Sequence, residues 1–147
     1  MTEATAFGEA IVVDSLGSIE ADQRKLAIYD REIGIQLLYE DPRSGAEHYL
    51  IRYPAGLRAQ LHRHTAAQTV VVLEGRLVVN DQIIGPGAYC HFPAGEPMFH
   101  APAGDERACS SRSSTVRPTW SRWTPDGQAR VQVVPRRSAP DAPPDEA

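Results

Sequence analysis
The sequence predicts an all-β single domain, a sandwich or barrel, and three observations carry that reading. Short runs rich in Val, Ile, Leu and Tyr recur at regular spacing, each bounded by turn-forming residues. One of them, LRAQLHRH (57–64), alternates strictly between apolar and polar residues. No internal repeat and no sustained helical period interrupts the pattern.

Taken in order, residues 1–20 form an N-terminal arm with a loose start at 1–8. ADQRKLAIYD (21–30) suits either a helix or an edge strand. IGIQLLYE (33–40) and AEHYLIRY (46–53) are strands separated by the turn cluster DPRSG. In LRAQLHRH, Leu57, Ala59 and Leu61 fall on one face and Arg58, Gln60, His62 and His64 on the other. TVVVLEG (69–75) and RLVVN (76–80) read as buried strands joined at Glu74-Gly75. GPG (85–87) is a further turn, and AYCHF (88–92) a strand ending at Pro93. The barrel is expected over 21–107, a divergent segment completing or covering it over 108–135, and a disordered tail over 136–147. That tail, RRSAPDAPPDEA, is rich in proline and acid and lacks any large apolar residue.

Composition bounds the function. The chain has 147 residues, 41% hydrophobic and 23% charged, which suits one globular domain with one core. Its net charge of −4 argues against nucleic acid and anionic membrane, both of which call for basic patches. No apolar run approaches the roughly 20 residues that span a bilayer. No basic-then-apolar segment opens the sequence, and Cys90 and Cys109 make no disulfide framework, so a reduced, cytoplasmic protein is expected.

The chemistry concentrates in four residues. His62 and His64 are two apart on an extended segment, so their rings point to one side. Gln68 follows after a short turn, and His100 follows the turn PAGEP. A divalent metal needs ligands converging from several strands, and the mouth of a small barrel provides for that. A His pair on a strand is by itself more often solvated or hydrogen-bonded than a ligand set. Arg58 and Gln60, on the face of His62, are candidates to bind a substrate oxygen, as is Tyr49. His48, Tyr49, Arg52 and Tyr53 alternate on one strand, so one set of them faces the interior.

The surrounding punctuation resembles the cupin family, and in particular its small single-domain members. Gly56, His62, His64, Gln68 and Gly75 fall at the spacings of the first cupin motif, with Gln in place of the usual Glu. Gly87, Pro93 and Gly95 match the second motif, but Met98 holds its histidine position and His100 lies two residues on. In an extended strand residue 100 faces the same way as residue 98, so His100 can take over as ligand. The resemblance implies a double-stranded β-helix, a jelly-roll-like barrel, holding one divalent metal through His62, His64, Gln68 and His100. Fe(II) is the first expectation, with Zn, Ni or Mn as alternatives. It implies an oxidoreductase, a dioxygenase of a small oxygenated molecule. The alternatives are an O₂-independent isomerase, cyclase or lyase, or a non-catalytic cupin that binds a small ligand or metal. Gln68 leaves the ligand set neutral, so a bound metal keeps its full charge and suits an anionic substrate. Met98 is read as an apolar wall of the pocket. Family members commonly pair edge strands, so a homodimer is expected.

One segment conflicts with this reading. Where the family closes its barrel with an apolar strand, this chain has ACSSRSSTVRPTW (108–120), polar and rich in Ser and Arg. Two explanations stand. A shifted reading frame, with TCN codons at the serines, would restore an apolar strand here; AGY codons would end that idea. Otherwise the tail is truly divergent, with Trp120 and Trp123 packing over a barrel end. The first leaves the barrel short of a strand, to come from a partner subunit or from VQVV (131–134).

Overall fold
The computed structural model describes residues 10–115 and the backbone of 132–133. Residues 1–9, Trp120, Trp123 and the 136–147 tail lie outside the described residues. Apart from a single 3-10 turn at Leu16–Ser18, the described elements are strands. They are β1 (Asp22–Arg24), β2 (Ile33–Glu40), β3 (Glu47–Tyr53), β4 (His62–Arg63), β5 (Gln68–Glu74), β6 (Leu77–Val79), β7 (Gln82–Ile84), β8 (Tyr89–Phe92), β9 (His100–Pro102), β10 (Ala108–Ser114) and β11 (Gln132–Val133). A six-stranded antiparallel sheet runs in the order β1-β2-β3-β10-β5-β8. The second layer is the sheet β7-β6-β9, with the pair β11-β4 beside it through a bridge between His62 and Met98.

The core lies between these layers. Ile33, Ile35, Tyr49, Ile51, Tyr53, Val72 and Ala108 from the large sheet meet Leu77 and Ala101 from the small one, with Ile28, Tyr29, Leu57 and Ala59 from the connections. Each large apolar side chain buried here contributes about 1.5–3 kcal/mol of transfer free energy. Along β3 the odd-numbered residues Tyr49, Ile51 and Tyr53 face this core, while His48 is exposed and Arg52 half-buried. Arg52 instead ties down the N-terminal arm, donating from Nη2 to the carbonyls of Leu16, Gly17 and Ile19 (3.1, 3.1 and 2.9 Å).

Three expectations change. Residues 21–30 form no helix; Asp22–Arg24 is the edge strand β1, paired with β2. The alternation across 57–64 is not one continuous strand. Arg58 and Gln60 are exposed, whereas His62 and His64 are buried, so the phase flips between residues 60 and 62. The cause is a local break: the Gln60 N–H is drawn off to the Ile28 carbonyl (2.7 Å), and its own carbonyl receives the His62 ring. Finally, the polar segment itself supplies the closing strand. β10 pairs on both sides, opposite β3 and β5, with a bulge at Cys109/Ser110. No strand from a partner is needed there, and Gln132–Val133 pairs with β4 instead of filling that place.

Gly75 lets the chain pass from one layer to the other. It has φ +69°, and a Cβ there would lie 2.0 Å from the Arg107 carbonyl oxygen. Among the described residues no helix is long and apolar enough to cross a membrane. Both cysteines are free, Cys109 being buried and Cys90 half-buried.

Candidate metal centre
Strand pairing brings the histidines together. His62 and Met98 are paired through both backbone bonds, His62 N–H to Met98 O (3.0 Å) and Met98 N–H to His62 O (2.7 Å). Directly opposed residues share a face, and residue 100 shares that face with 98. His100 is therefore delivered to the interior beside His62. His64, two beyond His62, joins them from the same side. His62 Nε2 lies 3.0 Å from His64 Nε2 and 3.2 Å from His100 Nε2, and all three rings are buried. Three imidazole lone pairs converging on one buried point form a cluster able to hold a metal ion.

The surroundings prepare the rings for that role. His62 Nδ1–H donates to the Gln60 carbonyl (2.7 Å), which leaves Nε2 free to ligate. Tyr29 Oη lies 2.9 Å from His100 Nδ1, and Tyr53 Oη 3.4 Å from the same atom. Burial pushes the His62 pKa down to about 4, the Arg112 charge adding to the fall and the Gln60 carbonyl opposing it. Burial, reinforced by Arg112, holds His64 and His100 well below the ordinary imidazole range. All three are neutral near pH 7, the form a metal requires. Burial and the neighbouring Tyr53 raise Tyr29 well above its usual value, so it remains a neutral phenol.

Gln68 is fully buried on β5, its amide nitrogen 3.2 Å from His64 Nδ1. Its oxygen, Oε1, is buried with no hydrogen-bond partner. An orphaned amide oxygen beside three converging imidazoles fits a divalent cation, either as a ligand or as the acceptor for a His64 Nδ1 proton.

The four residues expected around the substrate separate. Arg58 and Gln60 are exposed and lie away from the cluster, for the reason given by the break at Gln60. Met98 is buried against Val70 and Phe92, an apolar wall. Tyr49 faces the interior, in register with Arg112. Arg112 and Tyr29 were not singled out by sequence reasoning. Arg112 projects from the middle of β10 toward His100, its Nη2 3.3 and 3.1 Å from the two ring nitrogens. Being almost equidistant from both, it sits over the imidazole face and leaves the Nε2 lone pair open. The signal for Arg112 was present, since it lies at the centre of the one segment whose polarity contradicts a closing strand. An apolar cavity walled by Leu26, Ile28, Ile33, Ile35 and Ile51 adjoins the cluster, with Tyr29, His64 and Arg112 as its polar lining.

Comparisons with known proteins agree with this architecture. No curated protein matches the sequence. Among solved structures, the polyketide cyclase RemF from Streptomyces resistomycificus superposes with a TM-score of 0.62 at 18% identity, over 89% of this chain and 90% of that one. An acetylacetone dioxygenase from Acinetobacter johnsonii gives 0.59 at 16% identity, over 78% of each chain. The complex of Rhodobacter sphaeroides SigE with the anti-sigma ChrR gives 0.55 at 15% identity, over 69% of this chain and 52% of that one. These likenesses establish the cupin fold. The model of the ChrR cupin-like domain matches residues 18–113, and the chain belongs to that family.

Proposed function
We propose that the chain is a metal-dependent cupin enzyme acting on a small oxygenated organic molecule, with a dioxygenase using Fe(II) as the leading reading. The observation that carries it is the convergence of three neutral, buried imidazoles beside an apolar cavity. His62, His64 and His100 hold the metal, and Gln68 joins them through Oε1. When bound, the metal supplies Lewis acidity and, as iron, a path for electrons to O₂. The chain's own residues do the rest. Gln60 and Tyr29 fix the rings of His62 and His100, the isoleucines exclude water, and Arg112 adds a fixed positive charge to the site.

A second reading, an O₂-independent cyclase, isomerase or lyase using zinc or nickel, is favoured by one feature. The neutral ligand set leaves the metal its full charge, which suits polarising a carbonyl. Metal analysis of protein purified without oxygen, followed by O₂-uptake measurements on the oxygenated molecules it binds, separates the two. Bound iron with O₂ uptake supports the dioxygenase, and zinc or nickel without uptake the second reading. Protein that retains no metal and takes none up supports a non-catalytic, ligand-binding cupin instead. The similarity to a chain complexed with a sigma factor lends support to that last outcome.

A further inference from the structure
The histidine cluster is sealed from solvent. His62, His64 and His100 are 0, 3 and 2% exposed, and the cavity beside them has a volume of about 10 Å³, room for one water. No organic molecule reaches the rings in this conformation, so an enzyme of the kind proposed above needs one wall of the site to move.

The walls differ in how firmly they are held. Ile33, Ile35, Ile51 and Arg112 belong to β2, β3 and β10 of the large sheet, strands that are paired on both sides. Leu26, Ile28 and Tyr29 lie instead on the connection from β1 to β2, residues 25–32, outside the strands. Ile28 and Tyr29 are buried against the core, Leu26 and Ala27 are half-buried, and Lys25, Asp30, Arg31 and Glu32 are exposed. The segment thus covers the site with an apolar side and meets solvent with a charged one. It is joined to the rest of the fold by the Asp30 N–H to the Arg58 carbonyl (3.1 Å) and the Gln60 N–H to the Ile28 carbonyl (2.7 Å). Asp30 Oδ1 also accepts from the Arg58 N–H (3.0 Å). Arg58 and Gln60 are themselves on a connection, between β3 and β4, so one loop clasps another. Segments held by so few bonds open locally without unfolding the sheet beneath them. Lys25 closes the clasp from within. Its Nζ donates to the carbonyls of Leu26 (3.0 Å) and Tyr29, across the turn made by the Tyr29 N–H to Leu26 carbonyl bond (3.1 Å). That turn sets Tyr29, whose hydroxyl lies 2.9 Å from His100 Nδ1.

We propose that residues 25–32 are a lid over the histidine cluster, closed in this structure, and that Lys25 is its latch. Opening parts residues 28–30 from 58–60 and withdraws Leu26, Ile28 and Tyr29 from the cavity wall. The cavity then enlarges, and Tyr29 leaves His100 as a small molecule enters. The lid serves the metal-dependent activity proposed above and rests on that reading, so its test begins on metal-free protein, where the two fail separately.

Diethyl pyrocarbonate, which modifies accessible imidazoles, is applied to the metal-free full chain, and the initial rate at each histidine is read by peptide mass spectrometry. The exposed His48 and His91 serve as internal standards. In Lys25→Met the three clustered rings are expected to react about tenfold faster than in wild type, the effect of losing a charged donor, with the standards unchanged. A disulfide between Asp30→Cys and Arg58→Cys joins the lid to its neighbour. It should slow the same three rings about tenfold or more, and reduction should restore the rate. Amide exchange locates the opening: the Asp30 and Gln60 N–H groups should exchange faster in Lys25→Met, while the amides of β3 and β10 do not. Cluster reactivity unchanged by the cross-link overturns the lid. So does acceleration of the β3 and β10 amides together with those of Asp30 and Gln60. Reactivity unchanged in Lys25→Met removes Lys25 as the latch, and it overturns the lid as well if the double-cysteine protein does not fold or close. Zinc then tests the metal: it should pass to a chelator about tenfold more slowly from the cross-linked form than from the reduced one. Protein that takes up no zinc refutes the metal reading alone and leaves the lid to be judged on the metal-free rates.

Discussion
His62 presents Nε2 to the interior because the Gln60 carbonyl, 2.7 Å from Nδ1, takes the ring's one proton. His100 is held in the corresponding way by Tyr29, and His64 is flanked by Gln68. On the proposed reading, removing a ring removes one of three imidazole ligands: His62→Ala is expected to abolish metal retention while leaving the strand content intact. Elemental analysis and far-ultraviolet circular dichroism read these two outcomes independently. Gln68 offers a finer test. Gln68→Ala should weaken zinc binding about 10- to 100-fold, the usual cost of losing a supporting group. Gln68→Glu adds a carboxylate beside a divalent charge and should bind zinc more tightly than wild type, measured by competition with a chelator. A Gln68→Ala variant with unchanged affinity would show that the amide oxygen neither ligates nor orients. The clustering of the histidines was legible in the sequence because spacing on an extended chain fixes relative facing, and the pairing of residue 98 with residue 62 carries that facing across to His100. Arg58 and Gln60 were misplaced by the same logic. Strict alternation presumes an unbroken strand, and the hydrogen bond from Gln60 to Ile28 depends on a segment some thirty residues away in the chain.

At the scale of elements, β10 is where sequence and fold pull apart. Ser110, Arg112 and Ser114 face the interior opposite Val72, Val70 and Gln68, positions that an ordinary closing strand fills with apolar side chains. The strand forms nonetheless, because its backbone is paired on both sides and backbone pairing is indifferent to side-chain polarity. The cost is local. Ser110 Oγ is fully buried with no partner, so Ser110→Ala is expected to stabilise the protein by about 1 kcal/mol, read from the urea midpoint. Destabilisation of that size would mean that the hydroxyl has a partner in solution. The bounds of β2 were legible outright, since IGIQLLYE is flanked by polar turns on both sides. β7 and β9 were not, because three-residue strands carry too little periodicity to stand out. Gly75, by contrast, reads as a turn from sequence alone, yet the reason only glycine fits is the Arg107 carbonyl that packs against it. Gly75→Ala should cost more than about 2 kcal/mol, combining positive φ with a backbone clash. A loss within the scatter of surface substitutions would mean that the β5–β6 turn relaxes freely.

Over the whole molecule, the buried histidine cluster makes stability a function of pH. The three clustered histidines are buried and neutral, with His62 at about 4 against an ordinary value of 6.5. When the chain unfolds, each ring returns to its ordinary basicity, so between those pH values the unfolded state binds more protons than the folded one. Stability must then rise with pH across that window and fall as pH drops from about 6.5 toward 4. For His62 alone the displacement corresponds to roughly 3 kcal/mol, most of it lost before pH 4. The exposed carboxylates held low by hydrogen bonds and ion pairs, Asp30, Asp41 and Glu106, have ordinary values of 3.8, 3.8 and 4.5. Their contributions disappear only as pH falls through their still lower folded values, which leaves most of the window above to the histidines. Metal steepens the dependence, because protons compete with it for the same nitrogens, and saturation with metal adds stability by mass action. Metal-free protein should therefore lose several kcal/mol of unfolding free energy between pH 7.5 and 4.5 in urea titrations. Zinc-loaded protein should start higher and fall further over the same interval, and His62→Gln should lose part of the slope in both. A flat metal-free profile across that range would mean that the rings are already protonated or exposed in the folded state, and the converging neutral triad would have to be abandoned with it.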